Sequence, residues 1–309
     1  MFRLFNRFRG PRLSLVVVVY KMPDQAEKTL YSLSPAYQRW VEEGEYEVIV
    51  VENISDRMLG AARATQHAGN VRYFAREETQ RSPVGAVNFG AARARAGHVT
   101  IMIDGARMVT PGVVRNTLDV IRIAPEAVVA VPSYHLGDKL QQIAVNEGYD
   151  ETTEAQMLAS INWPEDGYRL FDIGCFSGSC KNGVLLPNFE SNALTLSVGK
   201  WKALGGMDPR FNDNGGGMVN LDLYKRALEL PGTPFYVLPG EGSFHQHHGG
   251  VTTGTTKDVR DKTMAEIRDQ GLKIRGAPTP PQARPIFYGQ IRPPAYRFLR
   301  QSLDMAQGR

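Results

Sequence analysis

Cysteine is almost missing from this chain. Cys175 and Cys180 are its two thiols, in GCFSGSC, so there is no second pair to complete a zinc site and no disulfide framework. Reduced structural thiols fit a cytoplasmic protein. Long apolar runs are lacking too: the best, Leu13–Tyr20, has the length of a strand and cannot span a bilayer. The opening MFRLFNRFRGPR lacks the apolar core and cleavage site of a signal peptide. Its Arg3, Arg7, Arg9 and Arg12 interleave with Phe2, Leu4, Phe5 and Phe8, a pattern for peripheral contact with an anionic membrane, or for a frayed tail. Net charge is 36 − 32 = +4, too small to imply a nucleic-acid partner though compatible with anionic substrates. Three nucleotide or nucleophile signatures are absent: no GxGxxG follows the first strand, no GxxxxGK[ST] occurs, and there is no GxSxG elbow.

What is present is a rhythm of buried strands and helices. With 309 residues the chain can hold one large α/β domain or two small ones. Leu13–Tyr20 and Tyr46–Val51 are β-branched runs suited to strands buried on both faces, and Val71–Phe74 reads as a more exposed strand near an edge. Asp24 stands as the N-cap of a helix starting near Gln25, and Ser55-Asp56 precede another running to about Gln66. The Ala/Gly-rich 85–97 segment predicts a helix able to lie very close to the sheet. His98–Ile103 predicts a central strand, 112–123 a helix and Ala127–Val131 a further strand, an order that implies a parallel sheet with right-handed crossovers. Residues 132–187 lose periodicity and suggest helices plus a substrate-facing loop. Strand character returns at 192–197 and 234–238, with helices over 200–204 and 220–230. The 277–285 stretch is Pro-rich and extended, followed by a short amphipathic helix with Tyr296, Leu299 and Leu303 on one face.

Polar groups collect at the strand ends. Tyr20-Lys21, Glu52-Asn53 and Asp104 terminate three strands whose carboxyl ends should be neighbours, where open α/β sheets bind ligands. Each carboxylate taken alone is an ordinary helix cap; together they converge, which a cation or a ligand's donors would relieve. Gly105 after Asp104 lets another backbone come close. Three of the chain's six histidines then fall in FHQHHGG at 244–250, making His245 and His248 candidate metal ligands beside Asp104. Imidazole with carboxylate suits Mn²⁺ better than Mg²⁺. The Gly-rich 212–222 loop leads into a helix and carries Asp213, Asn220 and Asp222.

In combination these blocks resemble family 2 glycosyltransferases of the GT-A, nucleotide-diphospho-sugar transferase fold. LSLVVVVY is similar to the family's first strand and VIVVENISD to its VIVVDDGSTD segment; NFGAARARAGHVTIMIDGA resembles its strand-and-DxD segment. ESNALTLSVGKWKALGGMDPRF resembles the acceptor-side segment ending in GGFDxxF, and NLDLYKR the final ED-x-DL-x-x-R helix. The resemblance implies a mostly parallel central sheet flanked by helices, in a single large domain over 13–276, with a basic tail at 1–12 and a Pro-rich linker and tail at 277–309. It implies an inverting transferase moving a sugar from a nucleotide-diphosphate donor to a glycan or lipid-linked acceptor, assisted by Mn²⁺ or Mg²⁺. Tyr20 and Glu52 would contact the nucleoside, Asp104 the ribose and the metal-bound diphosphate, and His245 or His248 would complete the metal shell. Two positions depart from the family pattern: Ala106 stands at the second Asp of DxD, and Asn220 at the catalytic Asp. Asp222, Asp213 and Glu190 are the candidate general bases in its place. The same departures fit an alternative, a non-catalytic nucleotide-sugar-binding protein or partner subunit; a nucleotidyltransferase of related fold lacks its Gly-rich basic loop, YKMPDQ standing there instead.

Overall fold

The Val-rich run forms β1 (Leu13–Val19), buried along its whole length, in a computed structural model that describes residues 10–80, 82–249, 257–276, 281 and 283–308. Its alternation divides the run between two cores. Leu13, Leu15, Val17 and Val19 join one apolar cluster, Val16 and Val18 another on the opposite face of the sheet. Parallel neighbours follow: β2 (Tyr46–Asn53), equally buried, the half-exposed edge strand β3 (Val71–Arg76), and β4 (His98–Met102). Val19 pairs with Glu52 and Val17 with Met102, so the three carboxyl ends lie level, as the sequence predicts.

Helix α1 (Pro23–Ser32) joins β1 to β2. Its N-cap is Met22 rather than Asp24, because Pro23 takes the first helical position, where its missing N–H costs nothing. The crossovers continue with α2 (Gly60–Thr65) and α3 (Val84–Ala91). At Gly90 a Cβ would stand 2.5 Å from Val16 Cγ1 and 3.0 Å from Val51 Cγ2, so α3 lies as close to the sheet as its small residues predict. After Asp104 the chain makes the short β5 (Arg107–Val109), then α4 (Val113–Ile123) and β6 (Val128–Ala130).

The 132–187 region holds β7 (Ser133–Leu136), α5 (Gln141–Ala144), α6 (Glu151–Ile161), whose N-terminus is capped by the Asp150 side chain, and β8 (Gly174–Phe176). β9 (Leu194–Ser197) then inserts between β4 and β6 antiparallel to both, the one reversed strand among those described in the larger sheet. α7 (Val198–Ala203), α8 (Val219–Leu228), β10 (Phe235–Val237) and β11 (Ser243–His245) follow. α9 (Lys257–Arg275), which the sequence does not predict, carries ten charged residues among its nineteen; it rests through the buried Ile267 and through Gly271, which faces Met218. β12 (Ile286–Phe287) and α10 (Tyr296–Ala306) complete the described chain.

The strands form an eight-stranded sheet, β12-β10-β6-β9-β4-β1-β2-β3, and a four-stranded one, β5-β11-β7-β8. Under the second sheet lies a third, aromatic core, where Tyr134 stacks between Phe176 and Phe244 and meets Phe298 edge-on. α10 docks there through Phe298 and Ser302. Tyr296 and Leu303, expected on its packed face, are exposed instead, because the helix turns its single phenylalanine to the aromatic core. Among the described residues no helix is long and apolar enough to cross a membrane. Residues 1–9 of the basic tail, and 277–280 with 282 of the Pro-rich linker, lie outside the described residues.

Candidate active site

Where β1, β2 and β4 end, a cleft of about 1360 Å³ opens between the two sheets. Its floor is laid by Asp104. Gly105 makes the turn possible, since a Cβ there would stand 2.8 Å from the Val18 carbonyl oxygen. Asp104 Oδ1 accepts from the Ala106 N–H at 2.9 Å, which aims Oδ2 at the histidine loop.

That loop reaches the floor from the second sheet. β11 pairs antiparallel with β5, setting His245 opposite Arg107. His245 Nε2 lies 3.1 Å and His248 Nε2 3.6 Å from Asp104 Oδ2, and the two Nε2 atoms are 3.1 Å apart. The Gln141 amide orients the first ring: its Nε2 donates to the His245 carbonyl at 2.9 Å, leaving its Oε1 to accept from His245 Nδ1. The His245 Nε2 lone pair therefore faces the carboxylate. The other side of the loop is held by Gln25 Nε2 to the His247 carbonyl at 2.8 Å and by the His247 N–H to Glu154 at 2.7 Å.

These three residues fit a divalent cation. One ligand atom from each lies within 4.8 Å of the others, and separations of 3.1–3.6 Å suit donors that each sit about 2.1 Å from one ion. Electrostatics agree. Burial alone would raise the Asp104 carboxyl, but the charge of the adjacent His248 imidazole, itself drawn up by Asp104, holds it well below the usual range. Burial and the Arg107 cation push His245 down to about 3, keeping it neutral and able to ligate.

Of the residues expected at the nucleoside, Tyr20 lines the cleft and is half exposed. Glu52 does not reach it. Its carboxylate is fully buried, accepting from the Leu59 N–H at 2.6 Å, the Gly60 N–H at 3.0 Å and the Tyr73 hydroxyl at 2.7 Å, so it caps the entry to α2. Strand alternation sends the next residue, Asn53, into the cleft, with its Oδ1 unpaired among the described residues.

The candidate bases separate in the same way. Asp222 is buried against Arg226 Nε at 2.8 Å and Arg275 Nε at 2.6 Å, two cations that commit it to tying α8 to α9. Asp213 opens the Gly-rich turn away from the cleft lining; burial and the nearby Glu266 and Asp269 raise its carboxyl. Glu190 is the member of the trio that lines the cleft, and Asn220 beside it donates through Nδ2 to Glu190 Oε2 at 3.0 Å. Sequence reasoning misses Arg107, Gln141 and the cleft-facing side of α9, which includes Arg260 and Arg268. An arginine three residues after Asp104, with the rest of IMIDGARMV apolar, is the signal that could have found the first; the other two sit in segments with no apolar period to read.

Comparison with curated proteins gives no match. Among solved structures, the crystal structure of S. aureus TarS 1-349 in complex with UDP-GlcNAc aligns with TM-score 0.54 at 13% identity, over 96% of this chain and 73% of that one. TarS 1-349 alone gives 0.52 at 12%, over 85% and 72%. The mannosyltransferase PcManGT from Pyrobaculum calidifontis, in complex with GDP-Man and Mn2+, gives 0.51 at 14%, over 96% and 70%. At such identities the likeness is one of fold, and it agrees with the mostly parallel sheet expected from the resemblance. The family model described as Glycosyl transferase family 2 matches residues 14–181, more than half of the 309, a span that runs from β1 through Asp104 and Arg107 to the loop after β8. The chain therefore belongs to glycosyl transferase family 2, and is a glycosyltransferase.

Proposed function

We propose that this glycosyltransferase moves a sugar from a nucleoside-diphosphate donor to a hydroxyl of a glycan or lipid-linked acceptor, with inversion at the anomeric carbon. The observation that carries the reading is the meeting of Asp104, His245 and His248 on the floor of a cleft that Glu190 also lines. The nucleotide-sugars bound by the fold neighbours support the donor class. Asp104, His245 and His248 would hold a divalent cation, Mn²⁺ in preference to Mg²⁺ because two donors are imidazoles. Such an ion, when bound, neutralises charge on the departing nucleoside diphosphate. Tyr20 and Asn53 would flank the nucleoside.

Glu190 is the general base of this scheme. It takes the proton of the acceptor hydroxyl as that oxygen bonds to the anomeric carbon and the bond to the diphosphate oxygen breaks. Asn220 cannot take a proton at neutral pH, but its amide fixes the Glu190 carboxylate at 3.0 Å. A cytoplasmic enzyme with peripheral membrane contact is consistent with a lipid-linked acceptor.

The test is a thermal-shift and turnover screen of UDP-, GDP- and dTDP-sugars with and without Mn²⁺. One donor should stabilise the protein in a Mn²⁺-dependent way. Glu190→Gln should then keep donor binding while lowering turnover at least a hundredfold; a Glu190→Gln enzyme with wild-type rate rejects this base. The second reading, a non-catalytic nucleotide-sugar binder, is favoured by Ala106 and Asn220. Tight donor binding with neither transfer nor hydrolysis would establish it.

A further inference from the structure

Arg107 is the conspicuous unsatisfied group of the cleft. It is only 9% exposed, and its Nε and Nη1 have no hydrogen-bond partner among the described residues. A guanidinium does not shed its charge, and buried N–H donors left unpaired are costly, more so on a charged group. The two acids whose charge bears on it do not complete it. Asp104 Oδ2 is 3.6 Å from Arg107 Nε, an ion-pair distance too long for a hydrogen bond, and its Oδ1 is taken by the Ala106 N–H. Glu190 is bonded to Asn220. Ala106, fully buried, offers no carboxylate.

We propose that Arg107 is a phosphate-binding residue, whose Nε–H and Nη1–H donate to non-bridging oxygens of the donor's diphosphate beside the Asp104–His245–His248 triad. This rests on the nucleoside-diphosphate reading above and names a cation that the sequence does not signal through any motif. Relative to a floor carrying an acid at position 106, Ala106 removes one negative charge, and Arg107 sets a positive one beside it. The fork geometry of a guanidinium suits paired phosphate oxygens. Nucleotide affinity is thus shared between the arginine and the metal site, and part of it survives removal of the metal.

Calorimetry of the purified full chain with UDP, GDP and inorganic pyrophosphate, in EDTA and in Mn²⁺, tests this. Wild type should retain measurable affinity in EDTA for pyrophosphate and for one of the nucleotides. Arg107→Met should weaken both by tenfold or more, while the corresponding nucleoside binds as before. Arg107→Gln, neutral but still polar, should behave like Arg107→Met, and it decides the matter if the methionine variant does not fold. A folded neutral variant that binds pyrophosphate and nucleotide like wild type overturns the assignment and leaves the donor class standing. Failure of wild type to bind any nucleoside diphosphate even with Mn²⁺ overturns both.

Discussion

Gln141 carries no charge and touches no substrate position, yet it decides what His245 can do. Its amide is oriented by donating to the His245 carbonyl, and that leaves an acceptor which fixes the proton on Nδ1. Removing such a support from a metal-ligating histidine typically costs ten- to a hundredfold in metal affinity. Gln141→Met should lower Mn²⁺ affinity by that amount in calorimetry, while Asp104, His245 and His248, the proposed ligands, are unchanged; equal affinity would show that the imidazole is held elsewhere. At this scale the sequence was informative about residue type and less so about direction. Asp104, His245 and His248 could be picked out because an acid after a buried strand and a histidine cluster are rare juxtapositions. Asp222 could not be judged in advance, since its carboxylate is claimed by Arg275, far along the chain, whereas Glu52 takes the helix-cap role that a lone strand-end acid suggests, through the Leu59 and Gly60 N–H groups.

Among the elements, α3 shows how composition sets distance. A methyl group at position 90 would fall inside the contact distance of two valines on adjacent strands. Gly90→Ala gains up to about 1 kcal/mol of helix propensity, but overpacking of a dense core costs about 1–3 kcal/mol. Net destabilisation of about 1 kcal/mol is expected from the urea midpoint, and a stabilised variant would mean that α3 can ride away from the sheet freely. Strands β1, β2 and β4 were legible from apolar runs because they are buried on both faces. β5, β8 and β11 were not, each being three residues long and defined by its partners rather than by any period of its own. α9 is invisible for the opposite reason: it is long, but its contacts rest on few apolar side chains.

For the whole molecule, the joint between the two sheets concentrates buried polar groups. Glu241 sits there, 2% exposed, accepting from Tyr168 at 3.0 Å, Asn116 at 2.9 Å and the Gly112 N–H at 3.2 Å, and from Thr110. Burial pushes its carboxyl up from 4.5 to about 7, against the pull of these donors. A raised acid is stabilising in its protonated form, so this contribution is complete below about pH 4.5 and is lost as pH rises towards 7. The thermal midpoint of wild type should therefore fall across that window by the equivalent of at most about 3 kcal/mol relative to Glu241→Gln, which lacks the titration. Parallel curves for the two proteins would contradict it. Neither this joint nor the aromatic core beneath it can be read from the chain, because residues 132–187 find their partners at 242–245 and 291–305 rather than nearby.

Asp104 leaves the larger sheet and His245 ends a strand of the smaller one, so no single layer owns the triad. An ion seated there would work as a clasp across the seam, and its grip would be felt in the mechanics of the protein as well as its chemistry. Backbone amides of 243–245 should exchange with deuterium faster after chelation than those of 13–19, whose neighbours are all on one side of that seam.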